Sequence, residues 1–104
     1  MSRAYNMQLT VTDFNIKKAD DILHAAREHW GFGDDLELNE DSERIVGSAD
    51  GSLCGGETED QFAARLCKAI FKANKGPCKV SIQATYLEDL PCETYEFSKD
   101  KPPK

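Results

Sequence analysis

The order of two well-marked helices among alternating strands constrains this 104-residue chain more than any other feature. Residues 58–73 read as a capped amphipathic helix. Thr58-Glu59-Asp60-Gln61 fits a capping box, in which the Thr58 hydroxyl serves the backbone of Gln61 and the Gln61 side chain reaches back. Phe62, Leu66, Ala69, Ile70 and Ala73 fall on one apolar stripe at helical spacing. The helix stops at Gly76-Pro77 and runs into a strict period-two strand, Cys78, Val80, Ile82, Ala84 and Tyr86.

A weaker copy of this plan fills the first half. Met7, Leu9 and Val11 alternate with Gln8, Thr10 and Thr12, which predicts a half-buried strand. Asn15 is placed to cap the next helix. Its stripe is Ile16, Ala19, Ile22, Leu23, Ala26 and Trp30, with Gly31 and Gly33 as stops. Leu36 and Leu38 alternate with Asp35, Glu37 and Asn39, suggesting a short acidic strand before a polar turn at Glu40-Asp41-Ser42. Residues 44–48 form the next expected strand, with Ile45 and Val46 its apolar content, and residues 50–57 read as a glycine-bearing loop. Tyr95 and Phe97 alternate with Thr94 and Glu96, leaving room for a short fifth strand at the C-terminal end.

The sum is β-α-β-β-α-β. Each helix follows a strand with one apolar face, so both helices can cover the same side of an antiparallel sheet. The expected fold is therefore α/β of the α+β kind, a ferredoxin-like βαββαβ two-layer sandwich. It would occupy residues 5–97 as one domain, followed by a flexible tail over 98–104 that ends in Pro102-Pro103. The alternative is a differently ordered α+β sheet in which Asp50-Gly51 closes a hairpin.

An apolar fraction of 39%, with 9% aromatics, supports a modest core and argues against full disorder. The net charge of −6 disfavours non-specific binding to nucleic acid or anionic membrane. Met1-Ser2-Arg3 opens no apolar signal segment, and no apolar run approaches membrane-spanning length. A cytoplasmic protein is the expectation. Cys54, Cys67, Cys78 and Cys92 then read as free thiols, with Cys67 and Cys78 at positions where small apolar residues would serve equally well. No Cys-x-x-Cys or Cys/His spacing supports zinc, and no metal or cofactor is expected.

Charge is segregated along the chain. Between residues 61 and 87 the charged residues are all basic: Arg65, Lys68, Lys72, Lys75 and Lys79. Between 34 and 43 they are all acidic, and between 88 and 97 again all acidic. At about 100° per residue, Arg65, Lys68, Lys72 and Lys75 share one sector of the second helix, opposite Leu66 and Ile70. Such a sector is either a solvated face, with lysines favoured near the carboxyl end of the helix, or a surface for an acidic partner. Phe71 lies on the flank beside Lys68 and Lys75 and is a candidate anchor, unless the segment holding Tyr95 and Phe97 folds over it. The outward residues of the first and fourth strands carry no aromatic ring, so the stacking platform of an RNA-recognition sheet is missing.

A second candidate site is Cys54-Gly55-Gly56 with Thr58, where backbone amides at a helix start could hold an anion and favour a thiolate. A catalytic cysteine also needs a positioned base. The two histidines, His24 and His29, are five residues apart and point about 140° away from each other, so they cannot act as one unit. Asp35, Glu37, Asn39 and Asp41 alternate like a calcium loop, but Glu40 stands where the glycine belongs and Val46 where the closing glutamate belongs. Glu88, Asp89 and Glu93 are paired carboxylates with no evident apolar pocket to raise a pKa. No dinucleotide or Walker glycine motif is present. Acylphosphatase-like chemistry needs an arginine in a glycine-rich first loop, and that loop here reads Asp13-Phe14-Asn15.

The second half, through Leu53-Cys54-Gly55-Gly56-Glu57-Thr58-Glu59, Phe62-Ala63, Lys68-Ala69-Ile70, Ala73-Asn74, residues 84–91 and Glu93-Thr94-Tyr95, resembles small uncharacterised proteins of bacterial plasmids and prophages. The resemblance implies a bacterial or mobile-element origin and a cytosolic setting, and it carries over no functional residue. The expected function is a small non-enzymatic binding or accessory protein acting through contacts with a protein partner or with itself. The first alternative is ligand or anion binding, or thiol-dependent catalysis, at the Cys54 loop. The second is an acidic nucleic-acid mimic, suggested by residues 34–43, that inhibits a DNA-binding partner.

Overall fold

A computed structural model describes residues 3–32, 36–53, 58–86 and 92–101, with the side chains of Arg3 and Leu53 excepted. In chain order the elements are strand β1 (Arg3–Thr12), a 3₁₀ turn (Ile16–Lys18), helix α1 (Ala19–His29), β2 (Glu37–Asn39), β3 (Arg44–Leu53), α2 (Glu59–Asn74), β4 (Lys79–Tyr86) and β5 (Cys92–Phe97). The five strands form one antiparallel sheet in the order β2-β3-β1-β4-β5. The two helices pack against one face of it.

The alternation expected of β1 and β4 sets that face. Tyr5, Met7, Leu9 and Val11 are buried, and each pairs across the ladder with a residue of β4: Tyr86, Ala84, Ile82 and Val80. The α1 residues Ala19, Ile22 and Ala26 and the α2 residues Phe62, Ala63, Leu66, Cys67 and Ile70 join them in one cluster. Each large apolar side chain so buried contributes about 1.5–3 kcal/mol against exposure, which offsets the entropy of ordering the chain. Among the described residues, no helix lies over the opposite face of β1 and β4, with Gln8, Thr10, Thr12, Lys79, Ser81, Gln83 and Thr85.

Two sequence expectations need correction. β3 does not end near Ser48 but runs to Leu53, so Asp50 and Gly51 lie within the strand, opposite Asn6 and Tyr5 of β1. No hairpin closes at Asp50-Gly51. The Asn6 amide donates to the Asp50 carboxylate across the ladder at 2.9 Å. Ile16 is not part of the buried stripe: it is 42% exposed, because the chain enters the helix through a 3₁₀ turn whose phase differs from that of α1. Asn15 does cap that turn, accepting from the backbone of Lys17 at 3.1 Å. Beyond β5, Ser98 and Lys101 exchange two reciprocal backbone bonds, and the rest of the expected tail, residues 102–104, lies outside the described residues.

The core-facing positions of β3 explain why its second half escaped the sequence pattern. Gly47, Ala49 and Gly51 stand opposite Leu9, Met7 and Tyr5, and the space left at Gly51 takes Trp30. The Trp30 ring lies against Gly51, and its Nε1 donates to the Ala49 carbonyl at 3.0 Å. Its other neighbour is Phe62 of α2, edge-on at 5.0 Å between centroids. Trp30 thus joins α1, β3 and α2. Asn74, the buried polar residue at the end of α2, joins the other end of the sandwich. Its side-chain oxygen accepts from the backbone of Asn15 at 2.8 Å and its amide donates to the Gly76 carbonyl at 2.9 Å.

Candidate partner-binding site

The capping box at the start of α2 forms as the sequence implied. The Thr58 hydroxyl accepts from the Gln61 backbone at 3.4 Å, and the Gln61 side chain accepts from the Thr58 backbone at 3.1 Å. With the helix phase fixed there, the side chains sort by angle. Phe62, Ala63, Leu66, Cys67, Ile70 and Asn74 face the sheet and are buried. Arg65, Lys68, Lys72 and Lys75 face outward and are exposed.

The outward row is not uniform. Arg65 sits at the α1 side: its guanidinium donates to His29 Nδ1 at 2.7 Å and covers the Phe62 ring at 5.2 Å. Among the described residues, Lys68, Lys72 and Lys75 make no ion pair with their ammonium groups. The three charges occupy the last two turns of α2, where the helix dipole favours cations. Phe71 lies on the other flank of α2, half-buried and packed against the core, so its ring is partly withdrawn from solvent.

Lys75 has a second distinction. It ends α2 in the left-handed region, at φ 58°, with its N–H on the Lys72 carbonyl and the Gly76 N–H on the Phe71 carbonyl. That is the bonding of a Schellman ending, in which glycine ordinarily takes the left-handed position. The sequence places Gly76 one residue too late for that role. Lys75→Gly is therefore expected to raise stability by about 0.5–1 kcal/mol, read as an increase in the thermal midpoint.

At the other candidate site, Cys54, Gly55 and Gly56 lie outside the described residues. Thr58 is described, and its hydroxyl is engaged: it accepts from Gln61 and donates to the Asp60 carboxylate. The first turn of α2 carries Glu59 and Asp60, which stabilise the helix start and oppose an anion there. Burial raises the thiol of Cys67 to about 12, with Cys78 adding to the effect, and raises that of Cys78 to about 11, with Asp13 adding to it. Neither is poised as a nucleophile.

The remaining candidates serve the fold. His24 is exposed and meets Glu28 at 3.1 Å, one helical turn on. The Asn39 side chain takes the backbone N–H groups of Asp41 and Ser42, holding the β2–β3 turn rather than offering a metal ligand. Among the described residues, no group of three or more His, Cys, Asp or Glu side chains is placed to hold a metal ion, and no helix is long and apolar enough to cross a membrane. Sequence reasoning missed the Arg65–His29 link and the left-handed Lys75, since both depend on where α1 and the helix end lie in space. No family model matches the chain, and no curated protein or solved structure is significantly similar to it.

Proposed function

We propose that this chain is a small non-enzymatic binding or accessory protein of the bacterial cytoplasm, of plasmid or prophage origin, acting through protein–protein contacts. Its partner-facing surface is the outward row of α2: Lys68, Lys72 and Lys75, with Arg65 at one margin and Phe71 at the other. The partner is a protein with an acidic surface. The observation that carries this reading is three exposed ammonium groups on adjacent turns that make no ion pair among the described residues, in a chain whose net charge is −6. Charges left in this way steer association and select partners more than they stabilise the fold. The order β2-β3-β1-β4 favours assigning the first four strands and both helices to a ferredoxin-like βαββαβ unit, with β5 added beside β4.

Charge reversal tests the surface. The triple variant Lys68→Glu, Lys72→Glu, Lys75→Glu should keep the circular dichroism of the parent, because all three side chains are exposed. It should lose the proteins that the parent retains in affinity capture from native-host extract, with binding weakened about tenfold or more. Retention of the same proteins by the triple variant would refute the assignment. Lys75→Gly separates the two roles of that residue: a more stable fold and a weaker complex are expected together.

A further inference from the structure

We propose that the groove between α2 and β5 takes an extended segment of a partner protein, alternately apolar and basic, which adds to the sheet as a sixth strand. This is a second binding site, on the opposite flank of α2 from the Arg65 margin.

Three independent features lead there. The first is the edge. Among the described residues β5 pairs only with β4, so one row of its backbone N–H and C=O groups is not used by the sheet they form. The other edge, β2, is three residues long, whereas β5 is six. Cys92-Glu93-Thr94-Tyr95-Glu96-Phe97 contains neither proline nor lysine, the usual devices for blocking an edge.

The second feature is the groove beside that edge. Tyr95 pairs with Ile82 and Phe97 with Val80, so both rings lie on the helix-bearing face of the sheet. Both are only half-buried, because β5 extends past the cover that α2 provides. The result is a groove of about 440 Å³ with Tyr95, Glu96 and Phe97 along one side, Ala64, Gln61 and Asp60 of α2 along the other, and Lys101 also lining it. The small Ala64 side chain keeps it open. A groove between a helix and a free strand edge is the geometry of strand addition, in which backbone bonds hold the segment and every second side chain enters the groove.

The third feature is charge. The Tyr95 hydroxyl donates to Glu93 at 2.5 Å, and the Glu59 and Asp60 carboxylates act on the same hydroxyl. Burial, the bond to Glu93 and these three carboxylates together push the tyrosine pKa upward. Carboxylates outnumber Lys101, the one cation among the described lining residues, and aromatic rings beside carboxylates suit a lysine or arginine side chain lying across them. An apolar residue in the groove with basic neighbours matches both surfaces.

Panning a phage-displayed library of random peptides against the full chain tests the proposal. Enriched sequences should alternate β-branched or aromatic residues with lysine or arginine. A synthetic copy of the best one should shift the backbone resonances of Ala64, Tyr95 and Phe97. Its affinity should fall about tenfold or more in Ala64→Trp, which fills the groove, and in Glu93→Gln, which leaves the helix untouched. It should persist in Lys68→Glu. No enrichment over the Ala64→Trp control, or peptides that are acidic and lost in Lys68→Glu, would overturn the inference.

Discussion

Trp30→Ala should lower stability by about 3–5 kcal/mol, the usual cost of emptying a large aromatic site from a core. The ring is 7% exposed, abuts Gly51, meets Phe62 edge-on and donates to the Ala49 carbonyl. Its removal opens a void against three elements and leaves the Ala49 carbonyl without that donor. The reverse change fails for the complementary reason. A Cβ at Gly51 would stand 2.6 Å from Trp30 Cζ2 and 2.9 Å from Cε2, atoms of a rigid ring with no free direction to move. Gly51→Val should therefore cost about 1–3 kcal/mol through overpacking, with more strain at the branched carbon. The two changes are coupled: in the double variant the valine occupies space that Trp30 vacated, so its cost should be less than the sum. Urea unfolding of the parent, both single variants and the double variant measures all four terms. Additive costs would mean that Trp30 does not lie over Gly51.

Alkaline pH should destabilise the protein through two thiols that have no role in binding. In the unfolded chain Cys67 and Cys78 ionise near 9, whereas burial holds them at about 12 and about 11 in the fold. Below pH 9 both states keep the thiol protons, and the stability is fully present. Above pH 9 the unfolded chain releases protons that the folded chain retains, so stability falls as pH rises. By pH 11 the loss is on the order of 2 kcal/mol for each thiol, a large share of the total for a domain of this size. Unfolding midpoints measured from pH 8 to pH 11 should drop steeply in the parent. The slope should be shallower in Cys67→Ala, Cys78→Ala, whose baseline stability is lower by the packing removed. Equal slopes would mean that the thiols are not buried as the structure has them.

The parts of this fold that were legible in the sequence are those with a periodic burial pattern. α2 carried its own start signal in Thr58 and Gln61, and its apolar stripe matches the buried residues Phe62, Leu66 and Ile70. β1 and β4 alternate because one face is covered and the other is not. β3 defeated the same reading. Its core-facing residues are Gly47, Ala49 and Gly51, and Gly51 is bare because Trp30, from another element, fills the space over it. Alternating small residues together with a tryptophan at a helix end were the signal, and neither is decisive alone. Phe14 and Phe32 are buried from connecting segments, where no period announces them. The cationic row of α2 was legible because helix phase alone places it. The groove beside β5 was not, because it exists only once Tyr95 and Phe97 are set against Ala64, far away in sequence.

Differential lysine labelling bears most directly on the outward row of α2 as a docking surface. The protein would be acetylated with a water-soluble reagent, alone and in native-host extract, and each lysine read by mass spectrometry. Lys68, Lys72 and Lys75 should react readily in the free chain and become protected together in the extract, while Lys79, on the uncovered face of the sheet in its pair with Asp13, keeps its rate. Unchanged reactivity of the three α2 lysines, or protection spread evenly over all lysines, would contradict a partner seated on that helix.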